Sequence, residues 1–322
     1  MFVSCGEALI DFVPARSVDG ESAYRPCVGG SPFNVAMTAG RLGASVGYLG
    51  RLSTDMFGDM IMAELINSRV ADRFVERSAD PSTLSFVSLP TDGEPRYAFF
   101  GAAAADRRLS LDHARTVLAA DGAAAVNCLH FGSFSLAVTP VGDVLSQLMA
   151  EAAADRIISL DPNVRPTLIE DQNAFKTALS GWIGLADIVK VSQADLQWLD
   201  ATRDPVSVAE SWSADGPTAV VVTRGADGAV VCRNGRALFE RPGKSVSVVD
   251  TVGAGDSFQG AMLTALQREG ALDGKKALRD ADDAVLGRAV DFAISVAGLT
   301  CGRQGADPPW ADDAGLAQVD LA

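Results

Sequence analysis

The sequence has 322 residues, 48% hydrophobic and 21% charged, which is enough apolar material for a large core and unlike the composition of a disordered chain. Its 41 acidic residues against 27 basic ones give a net charge of −14, which argues against nucleic acid and anionic membrane as partners, because phosphate surfaces need a basic footprint. Five scattered cysteines without a Cys-x-x-Cys pair read as free thiols of a reducing cytoplasm, and two histidines are too few for most zinc sites or a Ser-His-Asp hydrolase.

The opening segment, MFVSCGEALIDFVP, carries Glu7 and Asp11 and no basic stretch, so it does not read as a secretory signal. No apolar run reaches ~18 residues without a charge, so no membrane span is expected. Residues 11–28 are short, irregular and β-like. A helical pattern follows at 34–43, a strand at 45–50 and a helix at 57–68. Two β-rich runs, 85–89 and 96–100, flank PTDGEP (90–95), whose residues are turn formers, so this stretch reads as a hairpin. Together with the 11–28 piece it predicts a small separate sheet, which would act as a lid over the mouth of the main domain.

From there the chain alternates: strand 124–131, helix 140–154, strand 156–161, helix 173–184, strands 187–192 and 218–223. Buried apolar strands separated by helices predict an α/β fold with a parallel sheet covered on both faces. His130, at the end of an apolar run, reads as a satisfied buried histidine. No repeat or long linker divides the chain, so residues 1–322 read as one domain, with the lid from about 12–28 and 84–101. The Pro- and Asp-rich tail after Gly302 is expected at the surface, partly ordered.

The segment with the most chemistry is Asp250-Thr251-Val252-Gly253-Ala254-Gly255-Asp256-Ser257-Phe258. SVSVV (245–249) before it reads as a strand. Phe258, Ala261, Met262, Ala265 and Leu266 after it keep helical spacing, and Gly270 ends the run. Gly253, Ala254 and Gly255 then lie in the turn opening a helix, where small residues admit close approach and free N–H groups suit an anion. Asp256 stands beside that anion hole, placed to accept a proton during phosphoryl transfer. The plainer reading, a glycine turn with Asp256 as an N-cap, stays open on segment shape alone. Gly243-Lys244-Ser245 fails as a P-loop because Leu238 occupies the first glycine position. Gly253-Ala254-Gly255 likewise lacks the third glycine of a dinucleotide fingerprint.

DTVGAGDSF resembles the C-terminal signature of the ribokinase-like (pfkB) carbohydrate kinases, and Gly29-Gly30-Ser31-Pro32-Phe33-Asn34 resembles their N-terminal one, ~220 residues earlier. The resemblance implies a ribokinase-like doubly wound α/β sheet with a small β-sheet lid. The implied reaction moves the γ-phosphoryl of ATP, with Mg²⁺, to a sugar hydroxyl. In that reading Asp256 is the base, Gly253, Ala254 and Gly255 the anion hole, and Asp250 lies near a monovalent cation, K⁺. Asp11, Gly29, Gly30 and Asn34 match sugar contacts, and Phe99 covers the sugar from the lid. Asp161-Pro162-Asn163-Val164-Arg165-Pro166 is similar to the DPNxRP stretch of fructokinases and 2-keto-3-deoxygluconate kinases, with Arg165 as a phosphoryl clamp. Thr223, Gly225 and Gly228 match a nucleotide loop. Ser192 and Asp195 replace the family's Asn-x-x-Glu, with Ser192 on the ATP side and Asp195 linked to Mg²⁺. The helix near 288–300 lines the adenine side.

Ser31 stands where ribokinases and phosphofructokinases of the family have Lys, which favours a neutral sugar. Fructose, giving fructose 6-phosphate, fits the motifs best. A 2-keto-3-deoxygluconate kinase meeting the carboxylate through Arg165 or Arg107-Arg108, another sugar or nucleoside kinase, and an inactive sugar- or nucleotide-binding protein remain the alternatives. An exposed lid edge is a route to a homodimer.

Overall fold

The computed structural model describes residues 1–88, 96–120, 126–214, 216–313 and 316; the turn predicted at 90–95 lies outside them. The chain opens with β1 (Phe2–Cys5), β2 (Leu9–Arg16), β3 (Ser22–Gly29), α1 (Ser31–Arg41), β4 (Val46–Leu49), β5 (Arg51–Ser53), α2 (Met56–Asn67) and β6 (Glu76–Ser78). It continues through β7 (Leu84–Ser88), β8 (Arg96–Phe100), α3 (Leu111–Ala119), β9 (Cys128–Gly132), α4 (Val141–Ala152), β10 (Ile157–Asp161) and α5 (Gln172–Leu185). The last elements are β11 (Ile188–Ser192), α6 (Gln193–Leu199), α7 (Pro205–Ala214), β12 (Ala219–Thr223), β13 (Ala229–Arg233), β14 (Arg236–Arg241), α8 (Ala254–Arg268), α9 (Lys275–Asp280) and α10 (Asp283–Cys301).

An eight-stranded sheet runs in the order β14-β13-β12-β11-β10-β9-β1-β4. From β4 to β12 every pairing is parallel; β13 and β14 return antiparallel. The parallel strands are buried along their length, as strands covered on both faces must be, and this is why they read as unbroken apolar runs rather than alternating ones. One apolar layer packs α1, α8 and α10 against one face; the other packs α3, α4 and α5 against the opposite face. By length and composition α10 could cross a bilayer. Its Ala289, Val290, Phe292, Ala293 and Val296 are instead buried in the layer shared with α8.

A second sheet of four strands, β3-β2-β7-β8, is formed by the two β-like pieces anticipated from the sequence. Its register puts Asp11 opposite Cys27 and Ser85, and Ser85 opposite Phe99, so these four share one face. The next row, Phe12, Pro26, Phe86 and Ala98, points the other way. There Phe12 stacks on Phe86 with ring centroids 4.7 Å apart, and packs edge-on against Phe57 of α2.

One expectation fails, the strand at 245–249. Residues 245–249 join no sheet, and Val246, Val248 and Val249 are exposed. Alternation of Ser and Val imitates a strand, yet β14 already ends the main sheet. The segment is held instead by the N–H groups of Val249 and Asp250, both donating to the Cys301 carbonyl. Over its described part the stretch after Gly302 mixes exposed residues with an anchored centre. Pro308 and Pro309 are buried, Arg41 Nη1 donates to the Pro308 carbonyl at 2.8 Å, and Arg41 and Arg69 both lie over the Trp310 ring. A short, proline-rich segment orders when cations of the body supply its partners.

Candidate active site

Gly30 precedes α1 with φ 109°, a conformation that side chains resist, and a Cβ there would sit 2.7 Å from the Glu7 carbonyl oxygen. A Cβ on Gly29 would meet Asp11 Oδ2 at 2.4 Å. The two glycines thus let α1 start directly against the point where β1 leads into β2. Ser31 and Asn34, one turn apart, consequently project from the start of α1 onto the same neighbour.

That neighbour is Asp256. α8 begins at Ala254, after Gly253 at φ 76°, whose missing side chain leaves room for Ala306. Asp256 falls in the first turn, buried, and makes no capping bond. Ser31 Oγ donates to Asp256 Oδ1 at 2.7 Å, Asn34 Nδ2 to Oδ2 at 2.8 Å, and Asn163 Nδ2 to Oδ1 at 3.4 Å. Two helix N-termini therefore converge on one carboxylate, where both dipoles favour negative charge. The N-cap reading of Asp256 is thereby excluded. Asn34 does not cap α1 either; Gly30 occupies that position.

Beneath this turn Lys190, in the middle of β11, pairs with Asp161 at the end of β10 at 2.8 Å, both side chains buried. Burial works against the Lys190 charge, but Asp161, Asp256 and Asp195 more than offset it and hold the ammonium above its ordinary range. Its Nζ lies 3.0 Å from where a Cβ of Gly255 would be, so the turn rests on a cation. Further under α8, Gln259 Nε2 donates to Ser159 Oγ at 2.7 Å, and His130 shares that hydroxyl. Burial, with the Lys190 charge, pushes the His130 imidazole down to about 3, so it is neutral and structural; its Nε2 has no partner among the described residues.

The loop after β10 holds Asn163 at φ 40° and Arg165 exposed. Asn163 Nδ2 also donates to Ser31 Oγ at 2.8 Å, and Arg165 Nη1 donates to Asn163 Oδ1 at 2.6 Å. Val164 N–H donates to Asp195 Oδ1 at 3.2 Å, tying Asp195 to this loop. Ser192 caps α6, accepting from the Asp195 N–H, so its hydroxyl has a structural use as well.

On the small sheet, burial raises the Asp11 carboxyl above its ordinary value, opposed by the Ser85 hydroxyl and the charge of Arg165. Asp11 thus shares the space above α1 with Arg165. Phe99 lies 5.9 Å from Phe134, which follows β9, so that face of the small sheet looks onto the C-terminal ends of the core strands. Open α/β sheets bind ligands at that end. Thr223, Gly225 and Gly228 form the β12–β13 turn: a Cβ on Gly225 would meet nothing within 4 Å, whereas one on Gly228 would meet the Arg241 carbonyl at 2.0 Å. Asp250 Oδ1 and Oδ2 accept from Val252 N–H at 3.0 Å and Gly305 N–H at 2.9 Å, which shapes the loop leading to Gly253. Phe292 and Val296 are core residues.

The structure thus gathers Asp256, Ser31, Asn34, Asn163 and Arg165 into one chain of contacts, with Asp11, Gly29 and Gly30 above and Asp195 beside. Thr223, Gly225 and Gly228 lie apart, at the end of β12. Sequence reasoning gave Ser31 only the role of lacking a charge and assigned none to Asn163, Glu7 or Lys190. A lysine inside the buried strand Ile188–Ser192 was the available signal for the last, since buried charges demand a partner.

The model of the pfkB family carbohydrate kinases matches residues 1–313. A fructokinase of Rhizobium leguminosarum bv. trifolii is 36% identical over 272 residues, covering 84% of this chain and 81% of its own length. Fructokinase-1 of Oryza sativa subsp. japonica is 35% identical over 96% of this chain and 94% of its own. The crystal structure of a fructokinase with bound ATP from Xylella fastidiosa superposes with a TM-score of 0.86 at 30% identity, covering 99% of this chain and 96% of that one. With both glycine signatures folded onto one buried carboxylate, and with matches along nearly the whole length, this chain belongs to the pfkB family of carbohydrate kinases.

Proposed function

We propose that the protein is an ATP-dependent fructokinase, producing fructose 6-phosphate and ADP. One observation carries this reading: the Asp256 carboxylate, buried between the first turns of α1 and α8, is aligned by Ser31, Asn34 and Asn163 beside small-residue backbone. The fructokinase relatives support fructose as acceptor, and the ATP bound to the Xylella fastidiosa fructokinase supports the donor.

In this mechanism the small sheet is a lid. The sugar lies between its Asp11 face and the start of α1, with Asp11 and Asn34 accepting and donating to its hydroxyls, Gly29 and Gly30 allowing contact with backbone, and Phe99 covering it. The 6-hydroxyl gives its proton to Asp256 as its oxygen bonds to the γ-phosphorus, and the bond to the β–γ bridging oxygen breaks, leaving ADP. N–H groups of the turn at Gly253, Ala254 and Gly255 receive the phosphoryl oxygens. Arg165 adds a cation from the opposite side, and Thr223, Gly225 and Gly228 hold the nucleotide with Ser192.

No group of three His, Cys, Asp or Glu side chains suited to a metal ion occurs among the described residues. That fits Mg²⁺, which binds through one or two carboxylates and substrate phosphates rather than a protein cage. Asp195, anchored by Val164, is the carboxylate that would hold it, and the ion supplies neutralisation of phosphate charge. For K⁺ near Asp250, both carboxylate oxygens already serve the loop, so the loop's carbonyl oxygens are the better donors.

A sugar acid is the second reading, favoured by Arg107, whose guanidinium lies over the Phe134 ring at 5.8 Å next to Phe99. Arg108 is paired with Asp80 instead. The test is ADP release with fructose, other sugars and 2-keto-3-deoxygluconate. Fructose should give the highest kcat/KM; preference for the keto acid transfers the assignment to that substrate. ATP binding without stimulation by any sugar makes this a binding protein. A homodimer through the small sheet completes the proposal. Tyr24 and Phe100 are 51% and 61% exposed there, and both pack edge-on against Phe86, which supplies an apolar surface for such a contact.

A further inference from the structure

α1 serves the site from both of its ends. Its first turn holds Asp256 through Ser31 and Asn34. Its last residue, Arg41, holds the strap of residues 305–310. Arg41 Nη1 donates to Asp307 Oδ1 at 2.5 Å and to the Pro308 carbonyl at 2.8 Å, and the Arg41 carbonyl accepts from the Ala311 N–H at 3.1 Å. The Arg41 guanidinium lies 5.2 Å from the centre of the Trp310 ring, and that of Arg69 5.1 Å. The Arg41 side chain is only 11% exposed, so these contacts are poorly screened.

The same strap meets the loop that opens α8. Gly305 N–H donates to Asp250 Oδ2 at 2.9 Å, while Asp250 Oδ1 accepts from Val252 N–H at 3.0 Å. One carboxylate thus joins the strap to the loop leading into the turn. Ala306 then lies directly against Gly253: a Cβ on that glycine would be 2.5 Å from the Ala306 Cβ and 2.8 Å from its Cα. Residues 302–307 belong to no helix or strand, and Gly302, Gln304 and Asp307 are exposed. Arg303 reaches the Pro308 carbonyl at 3.3 Å and Asp313 at 2.9 Å, which stiffens the strap without tying it to the body. What fixes its place against Gly253 is Asp250 on one side and the Arg41–Trp310 clamp on the other.

We propose that Arg41 and Trp310 are positioning residues for the anion hole: by clamping 305–310 to the end of α1 they hold Gly305 and Ala306 against the Gly253 turn, so that one helix sets the phosphoryl-receiving N–H groups relative to the carboxylate at its other end. The helix has 11 residues, a rigid span of ~16 Å. Such a spacer matters because a misplacement of about 1 Å, even one caused far from the chemistry, slows a well-oriented reaction severely. This rests on the kinase reading above and adds to it two residues remote from the carboxylate they serve.

The experiment uses the full chain. Trp310→Ala should lower kcat about tenfold while KM for the sugar stays within about twofold, and Trp310→Phe, which keeps a ring under both guanidiniums, should restore most of the loss. Glu64→Gln changes the other partner of Arg41, 2.9 Å from Nη2, without touching the strap, and should leave kcat as it is. Ala306→Gly should also lower kcat, and combined with Trp310→Ala it should cost little more, as for residues acting through one contact. An unchanged kcat in Trp310→Ala, an equal loss in Glu64→Gln, or losses that multiply overturn the proposal. Hydrogen exchange gives a reading that needs no turnover: amides of a peptide covering 249–258 should exchange faster in Trp310→Ala and in Ala306→Gly than in the wild type, while a peptide covering 31–41 keeps its rate. Equal exchange at 249–258 overturns the clamp. If Trp310→Ala does not fold, Ala306→Gly decides by both measurements. Failure of the kinase reading shows separately, as absence of sugar-stimulated ADP release by the wild type, and exchange then still decides the clamp.

Discussion

Asp256 illustrates how much one side chain owes to its surroundings. Replacing it by Asn keeps the volume and removes the proton acceptor, so kcat should fall roughly 10³-fold with KM for both substrates nearly unchanged. Steady-state kinetics check this, and a retained melting temperature excludes misfolding. Glu7 is an acid in an environment unusual for a carboxylate. It is fully buried, accepts from the Ser31 N–H and from the Ser135 hydroxyl, and burial lifts its carboxyl to about 7, helped by Asp106 and opposed by hydrogen bonds. The folded state thus binds this proton more tightly than the unfolded chain. Stability from this source is fully present below pH ~4.5 and is lost as pH rises through about 7, a span worth on the order of 3 kcal/mol. Glu7→Gln should flatten the fall in melting temperature between pH 5 and ~7.5, read by thermal denaturation across pH. The Glu7 role was not visible in the sequence, where it is one acid among many; burial and the partner Ser135, far along the chain, create it.

Two helix beginnings make the site, and each depends on glycine. Gly30→Ala places a methyl 2.7 Å from the Glu7 carbonyl at φ 109°, so the start of α1 must shift, taking Ser31 and Asn34 with it. The expected cost is about 2 kcal/mol of stability, seen as a lower melting temperature, with a raised KM for sugar. The periodicity behind α8 was plain in the sequence, and Phe258, Ala261, Met262, Ala265 and Leu266 are all buried. The strand expected before α8 was not real. The stretch 245–249 alternates like a strand, but strand formation needs a free neighbour in a ladder, and local pattern cannot report whether one exists. The antiparallel β14 escaped notice for the complementary reason: RALFER alternates weakly, and its pairing with β13 supplies what its own sequence lacks.

At the scale of the molecule, two sheets face one another across the residues of the site. Phe99 reaches from the small sheet to Phe134 of the core. Phe99→Ala should raise KM for fructose roughly tenfold while leaving KM for ATP unchanged, because the proposed sugar site alone lies under that face. Saturating sugar and a non-hydrolysable ATP analogue should together raise the melting temperature more than either alone. At a ligand concentration 100 times Kd, each contributes about 2.7 kcal/mol by mass action. Equal shifts with one and with both ligands would show that they exclude each other.

Sequence alone determined the α/β class, the second sheet and the place of Asp256, because these follow from local periodicity and from motifs whose residues are adjacent in the chain. Only the tertiary structure decided that Ser31, Asn34 and Asn163 share one carboxylate, that Lys190 lies beneath Gly255, and that Arg165 turns back on Asn163. The three bonds to that carboxylate join partners 93 to 225 positions apart. The reason is physical: a contact between residues far apart in the chain depends on how strands β10 and β11 and helices α1 and α8 are packed, and no segment read by itself contains that information.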